Sequence, residues 1–314
     1  MRPALLWLLV VGVLVGCGLG PEAAQPESAP SGSSHPAGPT PTPTRPAEPP
    51  ATQQQPTKQP KPTPKPDRRI PPRDGPVFGA DMSWPQCPKG MGIPQKRSHG
   101  APPPTDAAEF VILGLTNGPG FVRNPCLPDQ VEWVRSRGLM AAAYAVGSFP
   151  DAETVAQHRG SGPFDGRSQL GALRNTGYQQ ARYNATSMLL TGLETPIVWI
   201  DVETVPDFEW SADQVANAAV VEGLARGYRE AGYRIGIYST PYLWEQVVGD
   251  FALGVPEWRA AGQTSMDEAL SRCGADWVIQ GGPAVLGQWV EDDRDRNITC
   301  PGVSAELGRW FHQY

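Results

Sequence analysis

From residue 77 onward the chain alternates short apolar runs with longer stretches of helical spacing. The runs at 77–80, 110–116, 140–146, 197–203, 234–239, 256–260, 277–280 and 286–290 are candidate strands. Two of them, Phe110-Val111-Ile112-Leu113 and Ile197-Val198-Trp199-Ile200, are almost continuously apolar, the pattern of parallel strands covered on both faces. Between the runs lie helices with readable ends. Val131 and Val134 share one face of a helix predicted over 128–137 and stopped by Gly138. Ser211 is placed to cap a helix running to Gly232, with Val215, Ala218, Ala219, Leu224 and Tyr228 along it. Thr240-Pro241 opens another, and Ser265-Met266-Asp267-Glu268 is a capping box for a helix that ends before Gly274. Strand–helix alternation implies a parallel sheet with right-handed crossovers. Eight strands make the expected fold an α/β (β/α)8 TIM-like barrel, regular or irregular, whose sixth, seventh and eighth strands are the least supported because the helical pattern thins there.

The first 76 residues read differently. Arg2 precedes an apolar run, Leu5 to Val15, broken only by Gly12. That is short of the roughly 20 residues needed to span a bilayer and has the length of a secretory core region. It ends in Leu14-Val15-Gly16-Cys17, the pattern of a bacterial lipobox. Residues 1–16 are therefore expected to be a removed signal peptide and Cys17 a lipidated N-terminus; the competing reading is an ordinary signal peptide with an incidental cysteine. Residues 21–76 hold half of the chain's 36 prolines and no Phe, Trp or Tyr. Such a composition buries too little apolar surface to offset the entropy of ordering it, and its Thr-Pro and Lys-Pro repeats favour extended polyproline II. The expected organisation is a signal peptide (1–16), a lipidated cysteine and disordered proline-rich stalk (17–76), and one barrel domain (77–314), extracytoplasmic and held to a membrane.

Eight of the 26 basic residues and five of the 32 acidic ones precede Val77, which leaves residues 77–314 at a net charge of −9 with His neutral. That sign excludes a nucleic-acid binder. Past Cys17 there are four cysteines, Cys87, Cys126, Cys273 and Cys300, an even number that suits two disulfides in an exported domain. Three pairings are possible. We favour Cys87–Cys126 with Cys273–Cys300, because each staples neighbouring loops within one half of the domain; without a Cys-x-x-Cys spacing a zinc site is disfavoured.

The segment Ile197-Val198-Trp199-Ile200-Asp201-Val202-Glu203 carries the chemistry. Period two sends Trp199, Asp201 and Glu203 to one side and Val198, Ile200 and Val202 to the other. With the branched residues against helices, both acids face the barrel interior near the end of the strand where barrel active sites lie. Asp81 follows the first run in the same way. Close carboxylates push one another's pKa up, so that one stays protonated as a general acid, the division of labour glycoside hydrolysis requires. Ion pairing with arginines is the structural alternative.

Gly79-Ala80-Asp81-Met82-Ser83 resembles the opening Gly-Ile-Asp-Val-Ser strand of the family-25 glycoside hydrolases, lysozymes that cleave after N-acetylmuramic acid. Asp201-Val202-Glu203 is similar to their Asp-x-Glu strand. Ala142-Ala143-Tyr144 resembles their Gly-Ala-Tyr, and Gly236-Ile237-Tyr238-Ser239 their Gly-Ile-Tyr-Thr. The resemblance implies a barrel with no cofactor, with Glu203 as general acid, Asp201 orienting the substrate or stabilising positive charge, and Asp81 as an accessory carboxylate. It also implies sugar contacts from Tyr144, Trp199 and Tyr238, and a further aspartate after a Trp-Gln-Tyr strand; here Gln288-Trp289-Val290 is followed by Asp292, Asp293 and Asp295, of which Asp295 is the favoured counterpart. One departure is plain: the family's Thr-Glu-Gly after the second strand is here Thr116-Asn117-Gly118. The implied partners are peptidoglycan and, through the lipid, a membrane, for a chain acting as a monomer.

Two further readings stand beside this one. A barrel that binds wall glycan without cutting it fits the missing glutamate. A metal-dependent hydrolase would use Asp81, Asp201, Glu203 and a C-terminal aspartate with a hard cation; the three histidines past residue 77, His99, His158 and His312, all lie outside strand ends. No serine-hydrolase elbow, phosphate-binding loop or dinucleotide fingerprint is present.

Overall fold

The computed structural model describes residues 70–314; residues 1–16, Cys17 and the proline-rich segment to residue 69 lie outside the described residues. The strands are β1 (Phe78–Met82), β2 (Phe110–Gly114), β3 (Met140–Val146), β4 (Ile197–Asp201), β5 (Arg234–Ser239), β6 (Glu257–Gln263), β7 (Ala284–Glu291), β8 (Arg294–Thr299) and the short β9 (His312–Gln313). The helices are α1 (Leu127–Ser136), α2 (Ala152–His158), α3 (Gln169–Thr191), α4 (Gln214–Glu230), α5 (Pro241–Val248) and α6 (Met266–Ser271). Strands β1 to β7 pair in parallel with their sequence neighbours. β8 runs antiparallel between β7 and β1 and closes the barrel. β9 pairs with the first two residues of β3, Met140 and Ala141.

Side-chain alternation divides the core into two layers. Val111, Leu113, Val198, Ile200 and Val202 face outward against the helices, packed with Val131, Val134, Val220 and Leu224. Phe110, Ile112, Ile197, Trp199 and Trp258 fill the barrel interior. Burial of each large side chain contributes about 1.5–3 kcal/mol. The interior is full enough that strand glycines are obligatory beside its aromatics. A Cβ on Gly236 would stand 2.3 Å from Trp199, and one on Gly79 would stand 2.4 Å from Phe110.

The expected α/β barrel is the observed one, and both favoured disulfides form: Cys87–Cys126 and Cys273–Cys300, each with Cα atoms 5.6 Å apart. The irregularity lies in the last third, where two strand expectations are corrected. Residues 277–280 are not a strand. The Glu257 carboxylate, with no exposed surface, accepts the Ile279, Gln280 and Gly282 amides at 2.8–3.0 Å, so these groups bond a side chain rather than a neighbouring strand. The eighth strand is instead β8, joined to β7 by a two-residue turn at Asp292 and Asp293. Both turn residues have positive φ (53° and 57°), the conformation of a type I′ hairpin. Asp at these positions is a weaker turn signal than Asn-Gly, and the charged run 291–296 hides the strand.

Two helix expectations also change. The cap of α4 is Asp213, which accepts the Val215 and Ala216 amides, while Ser211 bonds Asn217. The longest helix, α3, has no apolar stripe and escapes a periodicity search. Its buried face carries Asn175, Thr176, Gln180, Asn184 and Ser187. Several of these polar groups find partners: Asn175 donates to the Arg159 and Phe164 carbonyls, and Asn184 to the Tyr228 hydroxyl, while Gln180 Oε1 and Asn184 Oδ1 are left unpartnered among the described residues. Glycines bring α3 and α4 into backbone contact. A Cβ on Gly177 would lie 2.1 Å from the Val220 carbonyl, and one on Gly223 would lie 2.0 Å from that of Arg174.

Candidate active site

The parallel strands all point their C-terminal ends at one mouth of the barrel, and the acids collect there. Asp201 is the last residue of β4, in register with Val146 on one side and Tyr238 on the other. Glu203 lies two residues further along a chain that is still held. The Val202 amide donates to the Tyr238 carbonyl at 3.0 Å, Ser239 Oγ to the Val202 carbonyl at 2.6 Å, and Trp210 Nε1 to the Glu203 carbonyl at 3.0 Å. Val202 points outward into the helix-facing layer. The strand parity read from the sequence therefore continues past the end of regular pairing, with Glu203 half-buried at the mouth.

Asp81, 6 % exposed near the end of β1, is gripped by two amides from strands far away in sequence. Gln288 Nε2 on β7 donates to its Oδ2 at 3.0 Å and Asn297 Nδ2 on β8 at 2.7 Å. Each amide is oriented in turn: the Tyr238 hydroxyl donates to Gln288 Oε1 at 2.7 Å, and Trp258 Nε1 donates to Asn297 Oδ1 at 2.7 Å. Five side chains from five strands thus form one connected network. Such satisfied buried networks hold a group in a single orientation.

Protonation follows from burial and crowding. Asp201 is 2 % exposed with its Oδ1 unpartnered, and burial, then Glu203 and Asp81, raise its pKa well above the carboxylate range. Burial and the charge of Asp295 do the same to Asp81, against the opposing pull of Gln288 and Asn297. Glu203 is pushed up to about 7, by burial first and Asp295 second, with Lys96 pulling the other way. Burial also raises Asp295. Ionising every member of this cluster is unfavourable, so it retains protons at neutral pH.

The aromatic candidates divide. Tyr144 and Tyr238 are half-buried at the mouth and pack on Trp258, with ring centroids 5.7 and 4.5 Å away. Trp199 has no exposed surface; it forms the floor beneath Asp201, 6.1 Å from Trp258. Asp295 on β8 comes close enough to Asp81 and Glu203 to raise both. Asn117, at the position of the family's glutamate, is fully buried. It accepts the Ile93 amide at 2.8 Å and donates to the Lys96 carbonyl at 3.0 Å, fixing the loop that carries Lys96. Sequence reading missed Gln288, Asn297 and Trp258 as site residues. Asn297 stands in an Asn-x-Thr triplet that invites a different interpretation, and nothing local marks the other two. Among the described residues no group of three or more His, Cys, Asp or Glu side chains is arranged to hold a metal ion.

Fold and site together define a class: an α/β barrel with a buried carboxylate cluster and aromatic walls at the C-terminal mouth. Comparisons with known proteins find lysozyme-like relatives of part of the chain. Residues 169–268, from α3 through β4 and β5 into α6, match the family model described as "Lysozyme-like protein 1". The probable family-25 lysozyme 4 of Dictyostelium discoideum is 38% identical over 66 residues, 20% of this chain and 30% of that one. Lysozyme-like protein 5 of Caenorhabditis elegans is 29% identical over 70 residues, 22% of this chain and 31% of that one. The chain therefore spans about a third of the length of these relatives. Among solved structures, a muramidase from Acremonium alcalophilum covers 74% of this chain and 99% of its own at 18% identity and a TM-score of 0.47. A family-25 lysozyme from Aspergillus fumigatus covers 72% and 94% at 16% identity and the same TM-score. The resemblance read from the sequence motifs is thus matched by an independent, lysozyme-like segment that contains Asp201, Glu203 and Tyr238.

Proposed function

We propose that this chain is an extracytoplasmic glycoside hydrolase, tethered to a membrane through lipid on Cys17 and a stalk over 17–76, that cleaves the glycan strands of peptidoglycan. The observation that carries the reading is Glu203: half-buried at the barrel mouth among three other carboxyls, with a pKa pushed up to about 7. A carboxyl that keeps its proton near neutrality can protonate a glycosidic oxygen. Asp201, beside it with one oxygen free of partners, is placed to orient an N-acetyl group or to face the positive charge that develops on the sugar ring. Asp81 is the accessory carboxylate, aligned by Gln288 and Asn297. Tyr144 and Tyr238 supply apolar walls for the sugar. The names of the matched relatives, lysozymes and muramidases, support the same substrate class.

A second reading is a barrel that binds wall glycan without cutting it, favoured by Asn117 standing where a glutamate would be. One experiment separates them. The full chain is incubated with purified peptidoglycan beside its Glu203→Gln variant, and the soluble products are analysed by mass spectrometry. Muropeptides with a new muramic-acid reducing end, absent with the variant, are the expected result. A folded chain that sediments with the wall and releases nothing would make this a binding barrel.

A further inference from the structure

The opposite, N-terminal mouth of the barrel carries a second concave site. A cavity of about 390 Å³ opens between the end of α4, the start of β5, the turn before β6 and the segment that follows residue 308. Its lining contains three arginines, Arg229, Arg234 and Arg309, and no acidic residue. That concentration stands out in a stretch of chain whose net charge is −9. The rest of the lining is apolar or aromatic, with Tyr233, Val255, Pro256 and Trp310.

Ordinary structural roles account for only part of this arrangement. Arg229 lies in the last turn of α4, where a cation complements the helix dipole, but its guanidinium has no partner among the described residues. Arg234 donates one N–H to the Arg309 carbonyl at 3.3 Å and meets no carboxylate among the described residues. Arg309 pairs with Glu306 at 3.2 Å on the exposed side and lies over the Trp310 ring, 5.0 Å from its centroid. Arg309 is partly neutralised by Glu306, but Arg229 and Arg234 have no carboxylate partner among the described residues, so the cavity wall presents uncompensated positive charge that favours a bound anion.

We infer that this cavity is a binding site for a phosphorylated polyol or sugar, the phosphate held by Arg229, Arg234 and Arg309 and the carbon skeleton against Tyr233 and Trp310. A single carboxylate has two oxygens and satisfies one guanidinium fork; a phosphate group offers more acceptors in a tetrahedral arrangement and can engage several forks at once. The aromatic and apolar wall suits the carbon face of a polyol or a sugar ring. The site does not depend on the glycosidase reading, because it shares no residue with the carboxylate cluster. Ile70 and Val303 both pack against the interior layer, and the Arg73 amide donates to the Ser304 carbonyl, so the first described residues meet the segment that leads to Arg309.

The test is isothermal titration calorimetry of the full chain with glycerol 1-phosphate, inorganic phosphate, and vesicles of phosphatidylcholine with and without phosphatidylglycerol. Glycerol 1-phosphate is expected to bind. The double variant Arg229→Gln/Arg234→Gln should weaken it at least about tenfold, since each arginine contributes charge-assisted hydrogen bonds. Arg226→Gln, on the same helix outside the cavity, should leave the affinity unchanged. A single Arg309→Gln variant provides a second reading if the double variant misfolds. Absence of glycerol 1-phosphate binding, or equal weakening by Arg226→Gln, would overturn the site. Binding to anionic vesicles alone would assign the arginines to a membrane surface instead.

Discussion

Glu203 is the residue on which the proposed chemistry turns, and its environment yields two further expectations. Lys96 stabilises the ionised form, so Lys96→Met removes a force that lowers the Glu203 pKa. The alkaline limb of the activity profile, where the general acid loses its proton, should move to higher pH in the variant; a limb that stays in place would show that Lys96 does not reach the acid. The second concerns stability. The folded-state pKa of Glu203 is raised from 4.5 to about 7, so the native state binds this proton more tightly than the unfolded chain. The associated stability is fully present below about pH 4.5 and is lost as pH rises to 7 and beyond. Thermal melting of Glu203→Gln should therefore match the parent at pH 4 and exceed it at pH 8. Equal melting temperatures at both pH values would refute the buried, elevated acid.

Among the elements, the stretch 277–282 shows how one buried side chain replaces a strand. Glu257 and Arg259 form an ion pair at 2.7 Å with almost no exposure, and each is further committed. Glu257 accepts three amides from 279–282, while Arg259 donates to the Arg272 and Gly274 carbonyls at 2.8 and 2.7 Å. Removing one partner of such a pair leaves an uncompensated buried charge, at a cost of about 3–5 kcal/mol. Glu257→Ala should lower the free energy of unfolding in urea by that amount. A loss under about 1 kcal/mol would mean that water or a rearranged loop takes over the carboxylate's role. The α3–α4 contact is equally specific. Ala at Gly223 forces apart two backbones that now touch, so it should destabilise by about 1–3 kcal/mol although Ala favours helices. A neutral or stabilising result in the same assay would contradict the close crossing.

At the scale of the molecule, the two disulfides secure the loops on which the barrel's ends depend. Cys87–Cys126 ties the loop after β1, which carries Lys96, to the start of α1. Cys273–Cys300 ties the segment after α6 to the end of β8, the strand that brings Asp295 and Asn297 into the site. It closes a loop of 27 residues, and loops of that size are worth about 3–4 kcal/mol through restriction of the unfolded chain. Replacing Cys273 and Cys300 by Ser should cost about that much and should also depress activity, because Asn297 aligns Asp81. A variant as stable as the parent would show that the β7–β8 hairpin holds without its staple.

What could be read without coordinates was whatever the local pattern encodes. Seven of the eight barrel strands, the Asp201–Glu203 side of β4 and the position of Asp81 follow from period-two alternation and near-continuous apolar runs. These arise because each strand must face both the barrel interior and a helix layer. The turn residues and caps of α1, α5 and α6 are likewise local chemistry. Tertiary structure decided the rest, because the relevant forces act between residues far apart in sequence. Amides of 279–282 bond a carboxylate on β6, and that is what keeps them out of the sheet. β8 is a strand because it can pair with both β7 and β1, although its own residues are largely charged. α3 buries polar groups, some of whose partners lie on other elements, so no apolar stripe announces it. Gln288, Asn297 and Trp258 become site residues only when closure of the barrel carries them round to Asp81. The acids could be named from the chain alone; their shared protons are a property of the closed barrel, which removes them from water and sets them side by side.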